Sequence, residues 1–264
     1  MTEPCATPIL QSHLPILPWM VPALWRLPGI QPLDPDIWLE VDDAFAAQLA
    51  EKAWLMATRR DDVLVMTEAA RLAADELLRC VLAHLSRKPG YAVCDDRVTR
   101  PDGVQVPLDL DAPLLTLGHL VQEDFCLLQK QGEEHVLTAG LLAFPGSWTL
   151  AEKIGRPLTA IHRPVKPYDD QMARRVQRLF DMIRPGQPLF RMNALLYGDP
   201  TLYQPKSEHD TRPRIGERHF LRAEKQCLLR LPETGAVVFS IHTWVVPAST
   251  LSPQERAALV SGGH

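Results

Sequence analysis

Three groups of residues in this sequence have the chemistry to act on a ligand. The first is His162, which closes the run Leu158-Thr159-Ala160-Ile161-His162 and stands just ahead of Pro164. Upstream, Thr149 and Glu152 have the spacing of a capping box, and Gly155 stands where a helix C-terminal glycine belongs. The stretch from Trp148 to Val165 therefore reads as a capped turn, a glycine stop and a second short turn ended by proline. An imidazole projecting from such a stiff element suits an axial metal or haem ligand. A lone histidine near a helix end is also commonly a surface or satisfied core residue. One histidine cannot define a zinc site, whereas haem needs only one axial protein ligand.

The second group lies late in the chain. From His219 to Leu229, Arg222, Glu224 and Gln226 alternate with Leu221, Ala223 and Cys227. In the following segment Ser240, His242 and Trp244 alternate with Phe239, Ile241 and Thr243. One reading is a solvated sheet face opposite the core. The other is a polar pocket in which Glu224 places a carboxylate beside a cation. His242 would lie beside Glu224 if the two strands pair in that register. Third comes Gln122-Glu123-Asp124, whose usual explanation is an exposed strand edge, because buried charges are costly unless paired. Asn193, after Phe190-Arg191-Met192, can donate a hydrogen bond inward from a short apolar segment.

The elements that position these residues read as follows. Residues 1 to about 36 form a proline-rich arm in which Trp19 and Trp25 tuck against the domain. Asp42 or Asp43 caps a helix carrying Phe45, Leu49 and Met56. A second helix runs from Asp61 or Asp62 to Leu85, with a stripe of Met66, Ala70, Ala74, Leu77, Leu78, Val81 and Leu82, and stops at Lys88-Pro89-Gly90. Strands over Leu120 to Leu128 and Val136 to Phe144 flank a hairpin loop at Gln131-Gly132. An amphipathic helix from Tyr168 to Arg184 turns Met172, Val176, Leu179, Phe180 and Ile183 inward and Arg174, Arg175 and Arg178 outward. The clearest hairpin joins Arg218–Leu231 to Ala236–Val246 through Pro232-Glu233-Thr234-Gly235. Helices first and antiparallel strands later point to an α+β fold.

Composition sets the outer limits. In 264 residues, 46% are hydrophobic, enough for a sizeable core, and the net charge of −4 argues against a nucleic-acid or anionic-membrane partner. Five scattered cysteines without a CxxC give no zinc ribbon, no thioredoxin-like site and no covalent haem attachment, and are expected to be reduced. GxGxxG, GxxxxGK[ST], HExxH and GxSxG are all absent, so any cofactor must be held by dispersed residues. Pro15, Pro18 and Pro22 interrupt the apolar N-terminus, and no apolar run approaches the ~20 residues of a membrane span, leading to the expectation of a soluble, cytoplasmic protein.

Several blocks together resemble the haem-dependent oxidative N-demethylase family. They are Val121-Gln122-Glu123-Asp124-Phe125-Cys126-Leu127-Leu128, Trp148 to Val165, Arg191-Met192-Asn193, Gly216-Glu217-Arg218, Arg222-Ala223-Glu224-Lys225-Gln226, Leu229 through Gly235, and Phe239 to Trp244. Leu33-Asp34-Pro35 to Asp42 extends the match, which covers roughly residues 28 to 248. The resemblance implies a PAS-like antiparallel sheet with flanking helices, forming a single haem-binding domain over 37–248 between the arm (1–36) and a C-terminal tail (249–264). It implies non-covalent b-type haem with His162 as iron ligand, Arg222 and Asn193 as further cofactor-binding residues, and Glu224 and His242 as catalytic residues. By the same resemblance the substrates are dioxygen and a small secondary amine such as dimethylamine, whose dialkylammonium would pair with Glu224. Flavin (FMN), iron–sulfur centres and tetrahydrofolate would reside on partner reductase subunits. The family often has Asn-Trp where this chain has Asn193-Ala194, and Arg-Thr-Tyr where it has His242-Thr243-Trp244. Those departures leave a second reading open: a non-catalytic haem PAS-type gas or redox sensor.

Overall fold

The computed structural model describes residues 7–26, 28–162, 170–210 and 217–261. In chain order its elements are α1 (Pro22–Trp25), β1 (Gln31–Pro32), α2 (Phe45–Thr58), α3 (Arg60–Val63), β2 (Leu64–Met66), α4 (Arg71–Leu85), β3 (Ala92–Val93), β4 (Arg97–Thr99), β5 (Gln105–Pro107), α5 (Pro113–Leu120), β6 (Asp124–Gln131), β7 (Glu134–Leu141), α6 (Leu150–Lys153), α7 (Leu158–His162), α8 (Asp170–Met182), β8 (Leu189–Tyr197), β9 (Phe220–Arg230), β10 (Val237–Pro247) and α9 (Pro253–Ser261). Seven strands form one antiparallel sheet in the order β1-β8-β9-β10-β6-β7-β2, and β3-β4-β5 form a small second sheet. The fold is α+β.

Side chains divide the sheet into two differently covered faces. Phe125, Leu127, Cys227 and Val238 pack with Ala74, Leu77 and Val81 of α4 and Leu117 of α5. Farther along the same face, Met192, Ala194, Ala223 and Trp244 meet Trp19, Leu24 and Leu259 of the N-terminal arm and α9. Trp19 donates its indole N–H to the Glu255 carbonyl (2.9 Å), tying the two ends of the chain together. On the opposite face, Cys126, Leu128, Leu228, Val237 and Ile241 pack beneath α6, α7 and α8 through Leu150, Leu158, Phe180 and Ile183. We call this second side the α7 face.

The β9–β10 hairpin forms as the turn residues predict. Gly235 takes φ +70°, the left-handed region glycine favours, and its N–H donates to Leu231. The buried Glu76 of α4 accepts the Glu233 and Thr234 backbone N–H groups (2.6 and 2.8 Å) and so holds the turn from a distance. The β6–β7 hairpin likewise turns at Gly132 (φ +62°).

Three segments depart from the sequence reading. The helix expected from Asp61 or Asp62 to Leu85 is interrupted: Leu64–Met66 form β2 on β7, and α4 starts at Arg71. Val63-Leu64-Val65-Met66 is a continuous apolar run, and an open sheet edge takes it up against helical periodicity. The strand expected from Leu120 begins only at Asp124, because Pro113 starts a helix that ends at Leu120. Asp42 does not cap α2 at its first turn; it accepts the Ala44 N–H in a local turn, and the helix begins at Phe45. Gly155 does adopt φ +73° after α6. The Thr149 hydroxyl meets Glu152 Oε2 (2.8 Å) rather than a backbone N–H, and α6 is a single turn. Pro164, Tyr168 and Gly216 lie outside the described residues. No described helix is long and apolar enough to cross a membrane.

Candidate functional site

On the α7 face, β8 and β9 pair Arg191 with Gln226, Asn193 with Glu224 and Leu195 with Arg222. This register gathers five polar side chains on one side of two neighbouring strands. Glu224 is their centre. Its Oε1 accepts Arg222 Nε (3.3 Å), and its Oε2 accepts Asn193 Nδ2 (3.1 Å) and Gln226 Nε2 (3.0 Å). Arg222, 3% exposed, also donates to the carbonyls of Leu202 (3.0 Å) and Phe144 (2.6 Å). Arg222 is buried and Arg191, Asn193, Glu224 and Gln226 are half-buried, so these residues do not form a freely solvated face.

The chain passes close above Glu224. A Cβ on Gly146 would stand 2.7 Å from Glu224 Oε1, so a larger residue there would push the carboxylate out of this position. The next residue, Ser147, has φ +69° and donates its N–H to Gln204 (3.1 Å), fixing this crossing.

His162 ends α7 on the same side of the sheet, next to Ile161, which packs with the Leu228 and Ile241 cluster. Its Nδ1 lies 2.9 Å from the Leu158 carbonyl oxygen. A carbonyl can only accept, so Nδ1 carries the proton and the basic lone pair sits on Nε2. Burial, together with the positive charges of Lys153 and Arg191, pushes the imidazole below its ordinary pKa despite that hydrogen bond. A neutral, oriented imidazole is the form that binds a metal. Lys153 also donates to the Ile161 carbonyl (3.0 Å) and pairs with Glu208, anchoring α7 from α6.

His242 is placed elsewhere. The register sets His242 opposite Lys225 and Thr243 opposite Glu224, so His242 projects to the other face. The expectation that His242 lies beside Glu224 is corrected. There, with 1% exposure, it bridges Glu123 (Nδ1 to Oε1, 3.1 Å) and Asp42 (Nε2 to Oδ2, 3.0 Å). These two carboxylates, against the cost of burial, raise its pKa to about 9, and the imidazolium holds both below the usual carboxylate range. Ala194, the other position where the sequence departs from the family pattern, is buried on that same far face against the arm.

Gln122-Glu123-Asp124 is not an exposed edge: each residue is 1% exposed. Asp124 pairs with Lys52 (3.2 Å), whose ammonium also donates to the carbonyls of Val121, Gln122 and Glu123 (3.2, 3.2 and 2.6 Å). Gln122 donates to Asp42 (2.8 Å) and Gln48 (2.9 Å). Lys52 and Gln48 escaped the sequence reading although a signal was present. They lie four apart on the same face of α2 as Phe45, Leu49 and Leu55, so a polar partner was required inside.

Asp124 links the two regions: its Oδ2 accepts the Phe144 N–H (2.7 Å), and the Phe144 carbonyl accepts from Arg222 (2.6 Å). Over residues 29–261 the chain matches the family described as haem-dependent oxidative N-demethylase, alpha subunit-like. The chain belongs to this family. Haem dependence thus applies at the family level, and an alpha-subunit-like chain implies an enzyme of several subunits.

The described residues include the residue types a haem asks for. Among them no cluster of three or more His, Cys, Asp or Glu could hold a bare metal ion. A porphyrin supplies four ligands itself and asks the protein for an axial one plus apolar walls. On the α7 face His162 can fill the first role, and Ile161, Leu228, Phe239 and Ile241 the second.

Proposed function

We propose that this chain is the haem-binding subunit of an oxidative N-demethylase. The substrates we assign are a small secondary amine such as dimethylamine and dioxygen, with electrons from partner reductase subunits. The observation that carries this reading is the neutral, Nδ1-protonated His162 on the same covered side as the Glu224 cluster. In this proposal His162 is the axial ligand of a non-covalent b-type haem, which supplies the oxidative chemistry when bound. The strand order β8-β9-β10-β6-β7, with α6 to α8 inserted between β7 and β8, supports a PAS-like arrangement. FMN, iron–sulfur clusters and tetrahydrofolate belong to the partners in this reading, and the location is cytoplasmic.

The chain's own residues divide the remaining work. Three donors lock the Glu224 carboxylate in one orientation. A carboxylate offers about four acceptor sites, so one remains for an ammonium N–H. Asn193 and Arg222 hold Glu224 in position, and the Phe144–Ser147 crossing shields it from water. The catalytic role expected of His242 is a positioning one here: it fixes the Asp42–Glu123 segment behind the sheet.

The test begins with absorption spectra of protein expressed with haem supplementation: as isolated, dithionite-reduced, and with carbon monoxide. The proposal expects a Soret band that shifts with carbon monoxide and an altered ferrous spectrum in His162→Ala. A spectrum featureless after haem supply sinks it. A second reading, a haem sensor without turnover, is favoured by the Arg222–Glu224 pair, which already neutralises the carboxylate meant for the amine. Amine-induced spectral shifts that vanish in Glu224→Gln support the enzyme; no response to amine supports the sensor.

A further inference from the structure

The arginines on or beside the α7 face are treated unequally. Arg222 donates to Glu224 and two carbonyls, and Arg230 donates to the carbonyls of Ile183, Phe180 and Gly235. Arg191 Nε is buried with no hydrogen-bond partner. A guanidinium presents five donors in a rigid fork, and leaving a buried one unmade is costly. Burial pushes Arg191 below its ordinary pKa, and the nearby Glu224 charge offsets this only in part. The hydrogen bonds of Glu224 come from Arg222, Asn193 and Gln226, and the Arg191 Nε is met by none of its oxygens.

The charge balance points the same way. On this face two guanidiniums (Arg191 and Arg222) accompany one carboxylate (Glu224). One positive charge is left over, in a setting where unpaired charge is expensive. Lys153, the other cation near His162, is matched by Glu208. Such a surplus asks for an anion.

We propose that Arg191 is the seat of a haem carboxylate. The inference rests on the haem reading above and deepens it. A porphyrin carries its two carboxylates on one edge and takes its axial ligand at the centre. Arg191 lies on the same side of the sheet as the end of α7 at His162, and its fork matches a carboxylate bidentately. Arg191 and Asn193 also border a 270 Å³ groove at the open edge of β8, facing Leu24, Trp25, Leu259 and Val260. The groove gives a carboxylate edge an outlet towards water while the ring stays under α7.

The experiment compares haem with its dimethyl ester, in which both carboxylates are masked, by Soret titration of the full apo chain. Wild type should bind haem roughly tenfold to a hundredfold tighter than the diester, the range of a charge-assisted pair. Arg191→Leu should lose that discrimination and bind the two alike, and Arg191→Lys should keep part of it. Circular dichroism on each variant reports folding, and Lys serves if Leu fails to fold. The proposal is overturned if wild type binds both pigments equally, or if Arg191→Leu discriminates as wild type does. Uptake of neither pigment by wild type overturns it together with the haem reading, whereas uptake without discrimination overturns this inference alone.

Discussion

On the face covered by α4, α5 and the arm, the buried charges are tied to one another, three cations among four carboxylates. His242 sits between Asp42 and Glu123, Lys225 pairs with Glu40, and Lys52 meets Asp124 at the start of β6. On the α7 face, Arg222 and Glu224 pair, but the buried Arg191 Nε meets no hydrogen-bond acceptor. The first arrangement fastens one segment to another. The second leaves a cation beside the pair, which under the proposal above meets a cofactor carboxylate. Buried charge by itself therefore does not mark a site.

The sharpest way to break this comparison is to open the closed network. His242→Leu would leave Asp42 and Glu123 facing each other without a cation, and should cost about 3–5 kcal/mol in urea unfolding. Haem bound per folded molecule should not change. A loss under about 1 kcal/mol, or selective loss of haem, would show that His242 serves the α7 face after all.

The same pair predicts a pH profile. His242 is raised to about 9, so its contribution is complete below the ordinary histidine pKa of about 6.5 and is lost as pH rises through 9. Asp42 and Glu123 are lowered, so their contribution is present above about pH 4 and is lost on further acidification. Melting temperature should hold near neutrality and fall on both sides. The wild-type advantage over His242→Leu, a few kcal/mol, should shrink above pH 9. An advantage independent of pH to 10 would refute the charged bridge.

A smaller effect is expected from Gly146→Ala, whose Cβ would press on Glu224 Oε1. Stability should drop by about 1–2 kcal/mol, and any amine-induced shift of the Soret band should weaken with it. Normal stability and normal amine response together would show that the crossing does not set the carboxylate. At the low end, Glu233→Gln removes the pairing of two exposed side chains, Arg79 and Glu233, and should change stability by less than about 0.5 kcal/mol.

Much of the frame was legible because it rests on local chemistry: Gly132 and Gly235 at hairpin turns, Gly155 after α6, and the inward stripe of α4. The two faces of β9 were legible as well, since alternation needs only period two. Which residues of β10 join which face was not. Arg230 pairs with Val237 across the turn, so even-numbered residues of β9 share a face with odd-numbered ones of β10. One residue more or less in that turn would have put His242 beside Glu224, and no residue type in the loop reveals the difference. Gln122 to Asp124 misled for another reason: their partners, Asp42, Gln48 and Lys52, are about 70–80 residues away in sequence. Arg191 was visible only as part of a recognisable block, because an unmet donor is a property of three-dimensional surroundings.

The strand order carries a consequence for how the molecule is made. β10, the last strand of the chain, lies between β9 and β6, at the centre of the large sheet. On the ribosome the β6–β7 hairpin emerges roughly 100 residues earlier, on the order of 5–20 s at ordinary elongation rates. Through that interval β6 presents the edge that β10 will cover, its backbone groups over residues 124–128 still unpaired on that side. Only when residues 237–247 slot in do the halves that hold His162 and Glu224 become one sheet. Under the haem proposal, cofactor loading would follow synthesis of nearly the whole polypeptide, and a nascent chain stalled before Val237 is a candidate for aggregation through the uncovered β6 edge.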